Sequence, residues 1–142
     1  MRAVLDVNVL ISAALSQTGA PAELVRRWRR GEFELLVSAA LLAELERALA
    51  YPRIARLIPA DDAEALVALL GSEAELVDDP ADPLPVRSED PGDDYLLAIS
   101  SHQSAALVSG DGHLLSLAGD LPIYSPADFL RLLPDGPDAP GS

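Results

Sequence analysis

The chain has no cysteine and no lysine among its 142 residues, and only two histidines. Without cysteine there are no disulfides or thiolate metal sites, and two isolated histidines make no zinc cage, so any metal would have to be held by oxygen. No apolar run approaches the ~20 residues that span a bilayer. Met1 leads directly into a strand-like segment rather than a charged, then greasy, cleavable leader. The expectation is a cytoplasmic protein with no membrane partner. The length fits one domain, able to bury roughly 70% of its unfolded surface without a covalent staple.

Positive charge is scarce and uneven. Ten arginines stand against 23 acids, for a net charge of -13. Residues 1–56 hold eight arginines against six acids, whereas residues 57–142 hold two against seventeen. A uniformly acidic protein repels nucleic acid, but Arg26, Arg27, Arg29 and Arg30 crowd around Trp28, and such a local surface can hold phosphates of RNA. The structural reading of the same run is a solvated helix face with Trp28 in the core.

Along the chain, strand and helix patterns alternate. Ala3–Leu5 reads as a short buried strand that changes to helical spacing after Asp6. "GAPAELVRRWRRG" has Pro21 near a helix start, Glu23 in the first turn, arginines in the last and Gly31 as the stop. "FELLV" is a strand, and Ser38 caps "AALLAELERALA", which ends before Tyr51-Pro52. "PRIARLI" is a short helix. "DDAEALVALLG" places Asp61 and Glu64 at capping-box spacing and stops at Gly71. "AELV" is a strand, and residues 78–92, with four prolines and no periodicity, form a long loop of the kind that is often functional. "DDYLLAISSHQ" is a helix, "AALVS" a buried strand, "HLLSL" a helical turn and "PIYS" a last strand. "SPADFLRLL" is a helix with Ser125 as cap and Pro126 as first residue. A domain over residues 1–133 and a frayed tail over 134–142 follow. The alternation predicts α/β architecture: a single-domain three-layer α/β/α sandwich with a mostly parallel sheet. Ligands of such sheets bind beyond the carboxyl ends of the strands, where Asp6 and Asp111 fall.

Each acid of interest has an ordinary structural reading. Asp6 and Asn8 can close a strand by Asx turns, and Asp93 and Asp94 can offset a helix N-terminus. Asp111-Gly112 can be a hairpin turn, and Glu44 can pair with Arg47 at i,i+3. The hairpin fails in context, because "HLLSLAG" has helical spacing and parallel strands make no hairpin. Asp6 and Asp111 then meet at one end of the sheet and repel each other unless protonated or bridged by a cation. On a helical wheel Glu44 and Glu46 lie on opposite borders of the apolar stripe, and spacing does not choose between them. Glu89 and Asp90 read as loop solvation, and His102 and His113 as surface or helix-end residues.

"VLDVNVLISAAL", "FELLVSAALLAELERAL", "DPGDDYLLAIS", "ALVSGDGHLLSL" and "PIYSPADFLRLL" resemble, in order over residues 2–133, the motifs of the PIN-domain family. The likeness is strongest to the VapC-like branch, the toxins of bacterial toxin–antitoxin pairs. That resemblance implies a Mg²⁺- or Mn²⁺-dependent ribonuclease with a PIN-like fold, an antitoxin partner and a homodimer. Carried over by position, the Asp and Asn of the D-T-N-V motif fall on Asp6 and Asn8. The Glu of the L-x-E-L helix falls on Glu44, the Asp opening the third motif's helix on Asp94 with Asp93 beside it, and the Asp of T-G-D on Asp111. Asp6, Asp94 and Asp111 would hold the metal and, with Glu44, form the catalytic set; Asn8, Asp93 and Ser109 would support it. Two positions depart from the pattern: Val7 where Thr is usual, and Ser109 where Thr is common. Serine keeps the hydroxyl and valine does not.

These residue types suit the chemistry independently, because Mg²⁺ takes oxygen ligands and is commonly held by one or two carboxylates plus phosphate oxygens. Val7 favours a competing reading, a catalytically silent PIN-like module that binds RNA or a protein. An aspartyl-phosphate phosphatase shares the topology and the metal but needs a D-x-D motif, and here the second position is Asn8.

Overall fold

The computed structural model describes residues 1–80, 94–118 and 121–134. Most of the loop expected over residues 78–92, and the tail beyond Pro134, lie outside the described residues. Five strands, β1 (Arg2–Leu5), β2 (Glu34–Val37), β3 (Glu75–Leu76), β4 (Ala106–Val108) and β5 (Ile123–Tyr124), form one sheet in the order β3-β2-β1-β4-β5. Every pairing is parallel, with Leu5 beside Val108 and Val4 beside Leu36. Ala3, Val4 and Leu5 are fully buried, which is why β1 reads as a continuous apolar run rather than an alternating one.

The helices are α1 (Val7–Leu15), α2 (Ala20–Arg29), α3 (Ala39–Ala50), α4 (Pro52–Ala55), α5 (Ala60–Glu73), α6 (Asp94–Gln103), α7 (Gly112–Leu115) and α8 (Pro126–Leu132). The chain moves from β1 outward to β2 and β3, then returns through α6 to β4 on the other side of β1. Right-handed crossovers therefore set α1 to α5 on one face and α6 on the other, where it packs on β1 and β4. The strand order reverses between β1 and β4, and at such a switch point the two strands' carboxyl ends open a crevice. The opposite face is closed by α8, which packs on α2 and buries Phe129 edge-on against Phe33 at 5.4 Å.

Caps match the sequence at two helices: Ser38 Oγ accepts from Leu41 N at the start of α3, and Ser125 Oγ from Asp128 N at the start of α8. At α5 they differ. The helix begins at Ala60 with Pro59 as its N-cap and no side-chain cap, so Asp61 lies within the first turn and the expected capping box with Glu64 is not formed. Nor does Gly71 stop it: α5 continues to Glu73 because buried Leu70 holds the last turns against the core.

Candidate active site

The two central strands end side by side, and the backbone N–H of Asp6 extends their ladder by donating to the Val108 carbonyl at 2.9 Å. Asp6 is then the N-cap of α1, its Oδ1 accepting from Asn8 N at 3.3 Å, where the positive end of the helix favours a carboxylate. From the neighbouring strand, fully buried Ser109 donates its hydroxyl to Asp6 Oδ2 at 2.8 Å and accepts from Asp111 N at 3.0 Å. Ser109 thus ties the two aspartates' segments together. Asp6 is only 5% exposed. Burial pushes its carboxyl above the ordinary value of 3.8, the Ser109 and Asn8 donors pull it down, and the charge of Asp111 pushes it up again. Burial wins, so the ionised form is costly as it stands.

Asp6 opens into a cavity of about 360 Å³, with Asn8, Glu44, Tyr51, Arg53 and Tyr95 on its walls. The choice that spacing left open is made by the fold: Glu44 faces this cavity, whereas Glu46 faces a separate apolar groove between α3, α4 and α5. Glu44 also holds Arg47, one turn on, at 2.5 Å. Asp111 is outside the cavity wall and joins the site through Ser109 and through its charge on Asp6. Asp94 supplies the first residue of α6, immediately before the cavity residue Tyr95. Its side chain, Asp93 and the His113 side chain lie outside the described residues. Among the described residues no three His, Asp or Glu side chains are gathered closely enough to hold an ion. The described donors are one buried carboxylate with a second negative charge nearby. That donor set fits a hard divalent cation, which needs one or two carboxylates and takes water or phosphate oxygens for the rest.

The arginines of α2 lie elsewhere. Arg27 and Arg30 pair with Glu32, Arg26 pairs with Glu23, and Trp28 is buried in the core. Arg29 lines a cavity with Glu34 and Glu75, at the edge where the strands begin. A four-residue strand spans about 13 Å, and the Asp6 carboxylate sits at the other edge. Tyr51, Arg53 and Tyr95 are cavity residues that sequence reasoning did not single out. One signal was present: Glu44 and Ala48 on α3, and Tyr51 just past its end, recur at helical spacing in the sequence, and all three line the cavity.

Residues 2–113 match the family model described as the PIN domain. No curated protein sequence matches the chain. Among solved structures, the fold is similar to VapBC2 from Rickettsia felis bound to a DNA fragment from their promoter, with a TM-score of 0.59 at 13% identity, covering 87% of this chain and 97% of that one. It is similar to PAE2754 from Pyrobaculum aerophilum, with a TM-score of 0.59 at 20% identity over 93% and 89% of the two chains. FitAcB from Neisseria gonorrhoeae gives a TM-score of 0.52 at 18% identity, over 88% of this chain and 98% of that one. At these identities the likeness is one of fold. The matched span runs from the first residue of β1 to just past Asp111, taking in both strand ends that build the carboxylate crevice, and by that match the chain belongs to the PIN domain family.

Proposed function

We propose that this PIN domain is a metal-dependent endoribonuclease and the toxin of a bacterial toxin–antitoxin pair. The observation that carries the reading is the Asp6 carboxylate, buried at the switch point, bonded to Ser109 and facing the charge of Asp111. A family of nucleases supplies the context for it. In this reading Asp6, Asp94 and Asp111 hold Mg²⁺ or Mn²⁺. When bound, the ion would orient the scissile phosphate, acidify a water and offset charge on the leaving oxygen. Ser109 offsets part of the cost of ionising Asp6 and aims the carboxylate. Glu44, half-exposed on the cavity wall, takes a proton from the attacking water in this reading. Asn8 and Asp93 support the set.

A cognate antitoxin and a homodimer belong to the same proposal. The groove lined by Leu49, Ala55, Ile58, Ala63 and Val67, about 600 Å³ in volume and flanked by Glu46 and Glu64, suits an amphipathic antitoxin helix with basic edges. A small reading frame beside the gene, whose product co-purifies with this chain and blocks cleavage, is the expected finding.

The test of the activity is cleavage of single-stranded RNA that requires Mg²⁺ or Mn²⁺ and disappears in Asp6→Asn and Asp94→Asn. A second reading, an RNA- or protein-binding module without catalysis, is favoured by Val7. That side chain is buried in the apolar core and offers no hydroxyl at a position next to Asp6. RNA binding without metal-dependent cleavage would select it.

A further inference from the structure

Most of the described arginines are already engaged. Arg2, Arg26, Arg27, Arg30, Arg47 and Arg131 pair with carboxylates, and Arg56 donates to the Pro52 carbonyl at 3.2 Å. Arg53 makes no ion pair among the described residues, is exposed, and lines the Asp6 cavity. Beside it stands Tyr51, 64% exposed and on the same wall.

Their placement follows from the chain between α3 and α4. Tyr51 precedes Pro52 and is held extended at φ −59°, ψ 134°, which ends α3. Its carbonyl at once accepts from Ile54 N and Ala55 N, at 2.9 and 2.8 Å, so α4 starts without a linker. This corner brings an exposed aromatic ring and an exposed guanidinium to the lining of one cavity, which Asp6 and Glu44 also line.

A nucleotide needs those two groups. In a chain of net charge -13, phosphate approaches only where a cation is exposed, and Arg53 is such a cation at this cavity. A base stacks on an exposed ring only when unpaired, and a cavity of about 360 Å³ has room for a nucleotide rather than a duplex. We propose that Tyr51 and Arg53 form a subsite for one nucleotide of single-stranded RNA flanking the scissile phosphate. Arg53 holds the phosphate and Tyr51 stacks on the base. The position of that nucleotide relative to the cut rests on the nuclease reading above; the binding itself does not.

The experiment is fluorescence anisotropy with a short labelled single-stranded RNA, in EDTA at low salt, so that metal plays no part. Arg53→Gln should weaken binding about tenfold and reduce the slope of log affinity against log salt by about 0.7, the value for one lost phosphate contact. Arg53→Lys should keep that slope. Tyr51→Ala should weaken binding about tenfold and Tyr51→Phe should not, because the ring supplies the contact. Arg29→Gln, at the far edge of the sheet, should bind as the parent does, and all these exposed positions should leave the melting temperature unchanged. Single-stranded DNA of the same sequence reports whether the 2′-hydroxyl contributes, and a loss with Arg53→Gln on either strand supports the subsite. Absence of RNA binding by the parent protein, or parental binding by both Arg53→Gln and Tyr51→Ala, overturns it. If binding depends on both residues while no metal-dependent cleavage is found, the nuclease reading fails and the subsite stands.

Discussion

The Ser109 hydroxyl donates to Asp6 Oδ2 at 2.8 Å, joining residues 103 positions apart across the carboxyl ends of β1 and β4. Ser109 Oγ also accepts from Asp111 N, so one side chain fixes both aspartate-bearing segments. Ser109→Ala removes the bond to Asp6 and leaves a buried acceptor and a backbone donor without that partner. It should lower stability by about 1–3 kcal/mol and weaken Mn²⁺ binding about 10- to 100-fold. Ser109→Thr, which keeps the hydroxyl, should retain most of both. Thermal melts with and without Mn²⁺ check this, and an unchanged melt in Ser109→Ala would count against the bond.

The raised carboxyl of Asp6 has a sign that can be followed. A carboxyl whose folded value lies above its unfolded one favours the fold while protonated, below about pH 3.8. That contribution is lost as pH rises through the folded value, so at neutral pH the metal-free protein carries the cost of the ionised group. Asp6→Asn should therefore melt a few degrees higher, relative to the parent, near pH 7 than near pH 3.5 in EDTA. A difference between the two proteins that stays constant with pH would show that burial does not perturb this carboxyl.

Glu44 and Glu46 are two residues apart on one helix and face different cavities. Glu44→Gln should lower metal-dependent RNA cleavage on the order of 100-fold, the range of a lost proton acceptor. Glu46→Gln should leave the rate within about twofold. Equal losses would mean that the acidity of α3, rather than one placed carboxylate, matters.

Gly71 sits inside α5, exposed, and a methyl group added there meets nothing within 4 Å. Gly71→Ala should stabilise the fold by about 0.5–1 kcal/mol, because the unfolded chain loses freedom that the helix never used. Urea denaturation is a sufficient check, and a loss of stability would show that the last turns of α5 need the glycine.

Much of the fold was legible because its signals are local. Buried runs such as Ala3–Leu5, caps such as Ser38 and Ser125, and Pro126 at a first helical position each report on a few neighbouring residues, and their alternation gave the parallel sheet. The exceptions at α5 are local signals overruled by their surroundings. Pro59 starts the helix before Asp61 can cap it, and packing of Leu70 carries it through Gly71. The site was legible in its aspartates and not in its walls. Asp6 and Asp111 follow strands, so topology alone brings them to one edge, whereas the cavity is closed by α1, α3, α4 and α6 together. Nothing near Arg53 in sequence says that it lines the Asp6 cavity, and for Tyr95 the only pointer is its neighbour Asp94. The border position of Glu44 was ambiguous for the same reason: which side of α3 meets the crevice depends on where β1 ends.

The most direct measurement is the melting temperature of the parent protein and of Asp6→Asn during titration with Mg²⁺ or Mn²⁺. A site built on the buried Asp6 carboxylate and the charge of Asp111 beside it should gain about 2.7 kcal/mol when the ion reaches one hundred times its dissociation constant, a rise of several degrees in the parent. Asp6→Asn should show little or none of it. A parent melt that does not move with either ion, or one that moves equally in Asp6→Asn, would contradict the account.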